Sequence, residues 1–260
     1  MSYQHVVIEK QGQVARVILN RPEVSNALNS EIMSEIEQAA NSFLSDEQTR
    51  VVIFEGAGKH FSAGADLKQK SEPQSLLMRR RTAGLGARMI KAILNINQVT
   101  IAAIQGAALG GGACIPTACD FRIGADDCSV GYPEVNLGIN LMWRSLPLCV
   151  RLIGPARAKK MIMLGSRENG ETLLSWGFLD ELVARQDLSV ASLSMAEAYA
   201  RQPPIAVQMI KQSINAVSNA FDDAVMHMDT DQNLLSQFSD DRREAIEAYF
   251  DKREPVYRGE

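Results

Sequence analysis

The chain has 260 residues, of which 46% are hydrophobic and 22% are charged. This composition predicts an ordinary globular protein that buries a sizeable core, as one domain or as one domain with an appendage. The formal net charge is -4 at pH 7. Because nucleic acids and acidic membrane surfaces attract basic proteins, this charge argues against either of them as the main partner.

Signals for targeting and for metal binding are missing from the sequence. The stretch MSYQHVVIEK lacks the basic region and the apolar run of a signal peptide, and no segment is long and apolar enough to span a bilayer. The four cysteines include no C-x-x-C pair, and the three histidines are scattered. We therefore expect a cytoplasmic protein without a structural metal site.

The first elements in chain order are a hairpin and a helix. The segments VVIEK and VARVILN flank the turn sequence QGQ, which predicts a short β-hairpin. Residues 29–44 carry Ile32, Ile36 and Phe43 at helical spacing, which predicts a helix with one apolar face.

Strand and helix signals then alternate. VVIFEGAG and VTIAAIQGAALGGG each predict one strand that ends in glycines and precedes a helix, and FRIGA and CSVGYPE predict two more short strands. This alternation predicts an α/β core in which several strand ends open towards the same side. Strand signals stop near Ser189, so we expect a helical appendage or oligomerisation unit in residues 189–260 after a core in residues 1–188.

Two strand ends in this core carry glycines where a ligand could approach the backbone. Gly110, Gly111 and Gly112 precede ACIPTACD. Because three consecutive glycines are entropically costly to order, they indicate a turn into a helix at which the backbone comes close to another group. The free N–H groups at the start of such a helix can bind an anion or oxyanion. The spacing of the glycines fits neither G-x-G-x-x-G nor a P-loop, which argues against a nucleotide phosphate. The second end, KHFSAGADLK at residues 59–68, could supply another N–H to the same oxygen.

A basic cluster, Arg79 to Arg81, lies in the segment LLMRRRTAGLGARMIKAIL, which has helical apolar spacing. We interpret the cluster as a solvated helix face. The alternative is a catalytically silent or RNA-binding protein, with this helix as a salt-sensitive contact for RNA, and the acidic charge balance counts against it.

Four motifs, taken together in order and spacing, resemble the crotonase superfamily, the enoyl-CoA hydratase/isomerase family. They are NRPEVSNALN at residues 20–29, HFSAGADLK, AALGGG followed by CD, and GYPEVNLGI at residues 131–139. The resemblance implies an α/β fold built as a crotonase-like spiral of ββα units with a C-terminal helical region, assembled as a homotrimer or a hexamer. It also implies an acyl-CoA thioester as substrate, with no metal or redox cofactor.

The resemblance further implies roles for individual residues. Backbone N–H groups of Ala65 and Gly111 would bind the thioester oxygen, and Glu134 would move the proton. Two fixed N–H dipoles stabilise the charge of an enolate without reorganising, and an apolar pocket would raise the pKa of Glu134 to suit a proton carrier.

The resemblance also implies residues that bind the CoA portion of the substrate. They lie in NRPEVSNALN, in HFSAGADLK and near residue 252. Glu23 and Val24 would line the nucleotide part, Ala63 and Asp66 would flank the pocket loop, and Lys252 would reach the CoA of a neighbouring subunit. A solvated charge on a terminal helix is the alternative for Lys252.

The sequence departs from the family's two-carboxylate hydratases at two places. Cys114 stands where they have their first glutamate, and Met142, Trp143 and Arg144 replace small residues downstream, which predicts a reshaped acyl pocket. Cys114 could be an apolar wall, a weak hydrogen-bond partner for substrate or water, or an activated thiolate. Trp143 could line the acyl pocket or only pack in the core.

A single carboxyl can move a double bond from position 3 to position 2, whereas hydration shares its proton transfers between two groups. We therefore expect an enzyme that isomerises an enoyl-CoA, with hydration or hydratase-lyase chemistry on a 2-enoyl-CoA as the alternative. A thiol-based acyl transferase using Cys114 is disfavoured, because no histidine is placed to act as its base. The acyl chain length, the pathway and the choice between trimer and hexamer stay open at this stage.

Overall fold

A computed structural model describes residues 3–67 and 74–260. The strands in these ranges are β1 (Val6–Gln11), β2 (Val14–Leu19), β3 (Val51–Gly56), β4 (Val99–Ile104), β5 (Ala107–Leu109), β6 (Phe121–Ala125), β7 (Ser129–Gly131), β8 (Arg167–Asn169) and β9 (Glu181–Val183). The helices up to the last strand are α1 (Ser30–Ser42), α2 (Leu76–Ala83), α3 (Leu85–Leu94), α4 (Gly111–Ala118), α5 (Ser145–Ile153), α6 (Pro155–Met163) and α7 (Gly170–Trp176). The helices after it are α8 (Leu188–Ala200), α9 (Pro204–Ser218), α10 (Asp222–Met226), α11 (Asp229–Gln237) and α12 (Asp240–Asp251).

The predicted hairpin and first helix are confirmed. β1 and β2 pair in antiparallel register with Gln11 opposite Val14, and Gly12 takes a left-handed φ of 59° in the turn. Helix α1 begins after Asn29, whose side-chain oxygen accepts a hydrogen bond from the Ile32 N–H at 3.0 Å. This cap satisfies one of the N–H groups that a helix start leaves without a partner.

A six-stranded sheet in the order β1-β2-β3-β4-β6-β9 forms the centre of the fold, and all its neighbouring pairs except β1 with β2 are parallel. A three-stranded sheet has the order β5-β7-β8. The repeating ββα unit has one strand in each sheet and then a helix. Strands β4 and β5 with helix α4 form one such unit.

Helices cover both faces of the larger sheet. Val52 and Phe54 of β3 face a core shared with α1, α3 and α4, while Val51 and Ile53 face a second core shared with α8. This double burial explains why the central strands are apolar at every position rather than at alternate ones. The helical region starts at Leu188, beside the predicted position 189, but α8 packs on the sheet. The division into units at 188/189 stays a prediction.

The segment VTIAAIQGAALGGG is not one strand, and that prediction was wrong. Gly106 takes a left-handed φ of 54° and separates β4, in the larger sheet, from β5, in the smaller one. A Cβ at Gly106 would also lie 2.6 Å from Nδ1 of His60, so a glycine is required at this break. In the predicted strand CSVGYPE, β7 ends at Gly131 and a 3-10 turn, Pro133–Leu137, follows.

The basic cluster is not simply a solvated helix face. Arg80 on α2 makes two hydrogen bonds to the Asp231 carboxylate of α11, at 2.5 and 3.0 Å. The Arg79 guanidinium lies 4.9 Å from the ring centroid of Phe238. The C-terminal helices therefore contact α2, and two of the three arginines interact with protein groups.

Among the described ranges, no helix combines the length and apolarity needed to cross a membrane.

Candidate active site

The loop that contains Ser62 meets strand β5 at one parallel backbone bridge between Ser62 and Ala108. The Ser62 N–H donates to the Ala107 carbonyl at 3.0 Å, and the Leu109 N–H donates to the Ser62 carbonyl at 3.0 Å. Ala65 and Gly111 each follow the bridged residue of their own segment by three positions. The bridge therefore holds the two predicted donor residues in fixed register.

The Ala65 and Gly111 N–H groups have no hydrogen-bond partner within residues 3–67 and 74–260. The bridge of Ala65 to Leu28 uses the neighbouring Gly64 carbonyl and Asp66 N–H, at 2.8 and 3.0 Å, and leaves the Ala65 N–H free. Gly111 is the first residue of α4, where helix N–H groups lack an intrahelical acceptor. A Cβ at Gly64 would lie 3.5 Å from the Gly111 nitrogen, so the two segments are in contact.

The three consecutive glycines meet different neighbours. Gly110 has a left-handed φ of 53°, and a Cβ there would lie 3.0 Å from Oε1 of Glu134. A Cβ at Gly111 would lie 2.0 Å from Cζ3 of Trp143, and one at Gly112 would lie 2.6 Å from the Ser62 carbonyl oxygen. The left-handed φ disfavours a side chain at Gly110, and the close approach of the indole and of the Ser62 backbone leaves no room for one at Gly111 and Gly112.

Glu134 brings a carboxyl to this junction from the 3-10 turn Pro133–Leu137. Its Oε2 is buried and has no hydrogen-bond partner in the described part of the chain. Burial raises the pKa of Glu134 from 4.5 to about 7, because removing the carboxylate from water penalises its charged form. A carboxyl with this pKa both accepts and returns a proton near neutral pH.

Cys114 lies on α4 with its side chain fully buried, and its Sγ donates to the Gly110 carbonyl at 3.4 Å. Burial, and next the negative charge of Glu134, raise the pKa of the thiol well above its usual value, although the Ser145 hydroxyl lowers it. The thiol is therefore neutral at physiological pH, which argues against the activated thiolate. Of the three predicted roles, the apolar wall agrees best with a buried, neutral thiol, and it stays a prediction.

Trp143 and Met142 lie in the loop between the Glu134 turn and α5. Trp143 is 7% exposed, and its indole contacts Gly111 on one side and Gly86 of α3 on the other. Met142 is partly buried and packs against the same core. Trp143 thus lies next to α4, although an indole this well buried also belongs to the core, and the role of Met142 in the pocket stays a prediction.

Of the five residues predicted to bind CoA, four lie in segments that contact each other, and Lys252 is separate. Glu23 and Val24 lie in the exposed 3-10 turn Pro22–Val24, and the Ala63 N–H donates to the Ser25 carbonyl at 2.9 Å, which ties the two segments together. Asp66 forms an ion pair with Arg21 at 3.4 Å. Four candidates therefore share one surface.

Lys252 stands apart from these four in the sequence. It ends α12 in a left-handed conformation with φ 54° and is exposed. Its contact with a neighbouring subunit stays a prediction, as do the roles of the other candidates. Lys68, the last residue of the segment KHFSAGADLK, lies outside the described residues.

Sequence reasoning missed Asn26, which holds the loop that precedes Ser62. Its buried side-chain amide donates to the carbonyls of Ala57, His60 and Phe61 at 2.9, 2.9 and 3.2 Å, and its oxygen accepts from the Arg21 N–H at 2.9 Å. Asn26 also has a left-handed φ of 54°, a conformation that asparagine tolerates better than most residues. Its place within NRPEVSNALN was the available signal.

Fold and site together define an α/β protein with a paired backbone N–H site beside a buried, titratable carboxyl. The family model for enoyl-CoA hydratase/isomerase matches residues 9–260, and the chain belongs to this family of enzymes. The short-chain-enoyl-CoA hydratase of Clostridium acetobutylicum is 31% identical over 254 residues, which cover 97% of each chain.

Solved structures agree with this assignment. An enoyl-CoA hydratase from Bacillus anthracis matches with a TM-score of 0.79 and 31% identity, covering 99% of this chain and 100% of that one. An enoyl-CoA hydratase from Mycobacterium avium subsp. paratuberculosis has a TM-score of 0.89, with 99% and 100% coverage, and at 22% identity it shows the fold alone. The predicted crotonase-like α/β fold and family membership are confirmed.

Proposed function

We propose that the protein isomerises the double bond of an enoyl-CoA thioester and that Glu134 alone carries the proton. The observation that supports this proposal is the pairing of Glu134, whose pKa burial raises to about 7, with a neutral thiol at Cys114 where a second carboxyl would be needed. One group that titrates near neutral pH suits a reaction in which a single proton is removed and returned.

In this mechanism the thioester oxygen accepts hydrogen bonds from the Ala65 and Gly111 N–H groups. The Glu134 carboxylate removes a proton from C2 of a 3-enoyl thioester, and the electron pair moves to the thioester oxygen as a dienolate. The negative charge then lies on the oxygen that faces the two fixed N–H dipoles. Glu134 returns the proton to C4, while the carbonyl reforms and the double bond ends between C2 and C3.

Hydration of a 2-enoyl-CoA is the second candidate. The name of the relative from Clostridium acetobutylicum, a short-chain-enoyl-CoA hydratase, favours it. In that reaction Glu134 would take the proton from water as the oxygen attacks C3, and C2 would need a proton in return. The Cys114 thiol is not a carboxyl and, with its pKa raised by burial, is a weaker acid for that purpose.

The substrate handle and the assembly belong to the same proposal. The CoA would lie against the surface shared by Glu23, Val24, Ala63 and Asp66, and a homotrimer or hexamer would bring Lys252 of one subunit to the CoA of the next. No metal or redox cofactor takes part, since the reaction only relocates a proton.

The test is to incubate the purified protein separately with 3-hexenoyl-CoA and 2-hexenoyl-CoA and to identify the products by chromatography and mass. Conversion of the 3-enoyl to the 2-enoyl form without a mass change, lost in Glu134→Gln but kept in the exposed control Glu47→Gln, supports isomerisation. Addition of one water to the 2-enoyl substrate, without conversion of the 3-enoyl substrate, would establish hydration and overturn the proposal.

A further inference from the structure

The indole of Trp143 fills the space between two glycines on different helices. A Cβ on Gly86 of α3 would lie 2.1 Å from Cε2 of the indole, and a Cβ on Gly111 of α4 would lie 2.0 Å from Cζ3. No side chain fits at either position while the indole is present. The six-membered ring thus lies directly against the residue whose N–H is the proposed oxyanion donor.

Three groups fix the position of this indole. Trp143 and Arg144 both adopt left-handed φ angles, 62° and 61°, which are costly for large side chains. The Arg144 N–H donates to Oδ2 of Asp229 on α11 at 3.0 Å, and the Ser145 hydroxyl donates to the Trp143 carbonyl at 3.1 Å. The Arg144 guanidinium pairs with Asp223 on α10.

The indole lies beside both groups that would bind the reacting part of an acyl thioester. Glu134 contacts Gly110 and Trp143 contacts Gly111, so the proton carrier and the indole flank consecutive residues. If the thioester oxygen binds the Gly111 N–H and C2 and C4 lie at the Glu134 carboxyl, a longer chain has to pass the six-membered ring, which lies against Gly111. Only a chain that ends before the ring fits without displacing it.

We propose that Trp143 is the end wall of the acyl site and restricts the protein to short-chain acyl-CoA thioesters. This inference rests on the proposed binding of an acyl-CoA at Ala65, Gly111 and Glu134, and it adds the substrate class. The indole atoms nearest to Gly111 are all carbons, so they suit an apolar chain end.

The experiment measures binding, which is independent of turnover. Butyryl-CoA and dodecanoyl-CoA, both saturated and unreactive to isomerisation, are titrated by calorimetry into the wild-type protein and into Trp143→Leu. Trp176→Leu is the matched control, because it removes the chain's other tryptophan from a partly buried position beside Arg157 and Lys160. Circular dichroism confirms that each variant is folded, and Trp143→Phe replaces Trp143→Leu if the latter does not fold.

We expect the wild-type protein and Trp176→Leu to bind butyryl-CoA about tenfold or more tightly than dodecanoyl-CoA, since a pocket discriminates about tenfold or more for each misfitting methylene. Trp143→Leu, or Trp143→Phe in its place, should reduce that ratio about tenfold. Equal wild-type affinity for both thioesters, or an unchanged ratio in the Trp143 variant, would overturn the end wall. Failure of the 3-hexenoyl-CoA conversion with an intact binding ratio would remove only the proposed reaction, and failure to bind either thioester would remove both.

Discussion

Ser62 lies in a loop and Ala108 lies in strand β5, 46 positions further along the chain, and the two form a parallel backbone bridge. The residues three places after them, Ala65 and Gly111, carry N–H groups that have no hydrogen-bond partner in the described ranges 3–67 and 74–260. Backbone hydrogen bonds at this bridge, together with the buried Asn26 side chain, position the two segments. The geometry of the proposed oxyanion site is consequently a property of the fold, and it should respond to changes that move backbone rather than to changes of surface side chains.

Gly64→Ala should damage the oxyanion site. Gly64 has a φ of 89°, and a Cβ there would lie 2.4 Å from the Leu109 carbonyl oxygen, so alanine must push the Ala65 segment away from Gly111. Loss of one oxyanion donor costs about 100- to 1000-fold in kcat. Steady-state kinetics with 3-hexenoyl-CoA measures the loss.

Gly154→Ala is the matched control for that change. Gly154 also has a left-handed φ, 79°, but no atom lies within 4 Å of its added Cβ. This variant should lose stability through backbone strain alone and keep its kcat. An equal loss of kcat in both variants would contradict a specific role of the Gly64 contact.

Cys114→Ala should retain activity. The thiol is buried and neutral, with its pKa raised by burial and by Glu134, so its removal deletes wall volume and no proton carrier. We expect kcat/KM for isomerisation within about threefold of the wild-type value, since the chemistry stays with Glu134. Mass spectrometry after treatment of the wild-type protein with acyl-CoA should find no adduct. An acyl group on Cys114, or a much larger loss in the variant, would favour thiol chemistry.

The pH profile should follow the carboxyl. The pKa of Glu134, raised from 4.5 to about 7 by burial, makes the carboxylate the minor form below pH 7 and the major form above it. Because the carboxylate is the base in the free enzyme, kcat/KM should increase with pH through an apparent pKa of about 7 and then level off. Initial rates between pH 5 and 9 measure the profile, and a flat profile from pH 5 upward would contradict this assignment.

The same shift should appear in stability. The unfolded chain releases the Glu134 proton near pH 4.5 and the folded chain near pH 7, so the wild-type protein loses stability as the pH rises through this window. Each pKa unit corresponds to about 1.4 kcal/mol, which makes the limiting loss about 3 kcal/mol. Relative to the wild type, Glu134→Gln should therefore gain stability between pH 4.5 and 8.

Chemical denaturation at several pH values measures this difference. Glu47→Gln, which changes an exposed carboxyl on the surface, is the control and should follow the wild-type pH dependence. A Glu134→Gln curve parallel to the wild-type curve would show that the carboxyl is hydrated in the folded protein.

Local sequence patterns predicted the hairpin, α1 and the central apolar strands, because their apolar spacing and turn residues act within a few positions. The break at Gly106 was not predicted, since its cause is contact with His60, whose Nδ1 accepts the Ala107 N–H at 3.1 Å. Site residues on motifs, such as Ala65 and Glu134, were named from resemblance. The contact of Trp143 with Gly86 joins positions 57 residues apart and has no local signal.

Asp229 should act on acyl selectivity through Trp143 without contacting the substrate. Its carboxylate, 4% exposed, accepts the Arg144 N–H and so holds the left-handed turn that orients the indole. Asp229→Ala leaves that N–H without its partner and should lower stability by about 1 to 3 kcal/mol. The freed indole should also raise affinity for dodecanoyl-CoA relative to butyryl-CoA, in the same direction as Trp143→Leu but to a smaller extent. Asp229→Asn keeps an oxygen acceptor and should restore the wild-type ratio, whereas a purely structural defect would lower the affinity for both thioesters equally and leave their ratio unchanged.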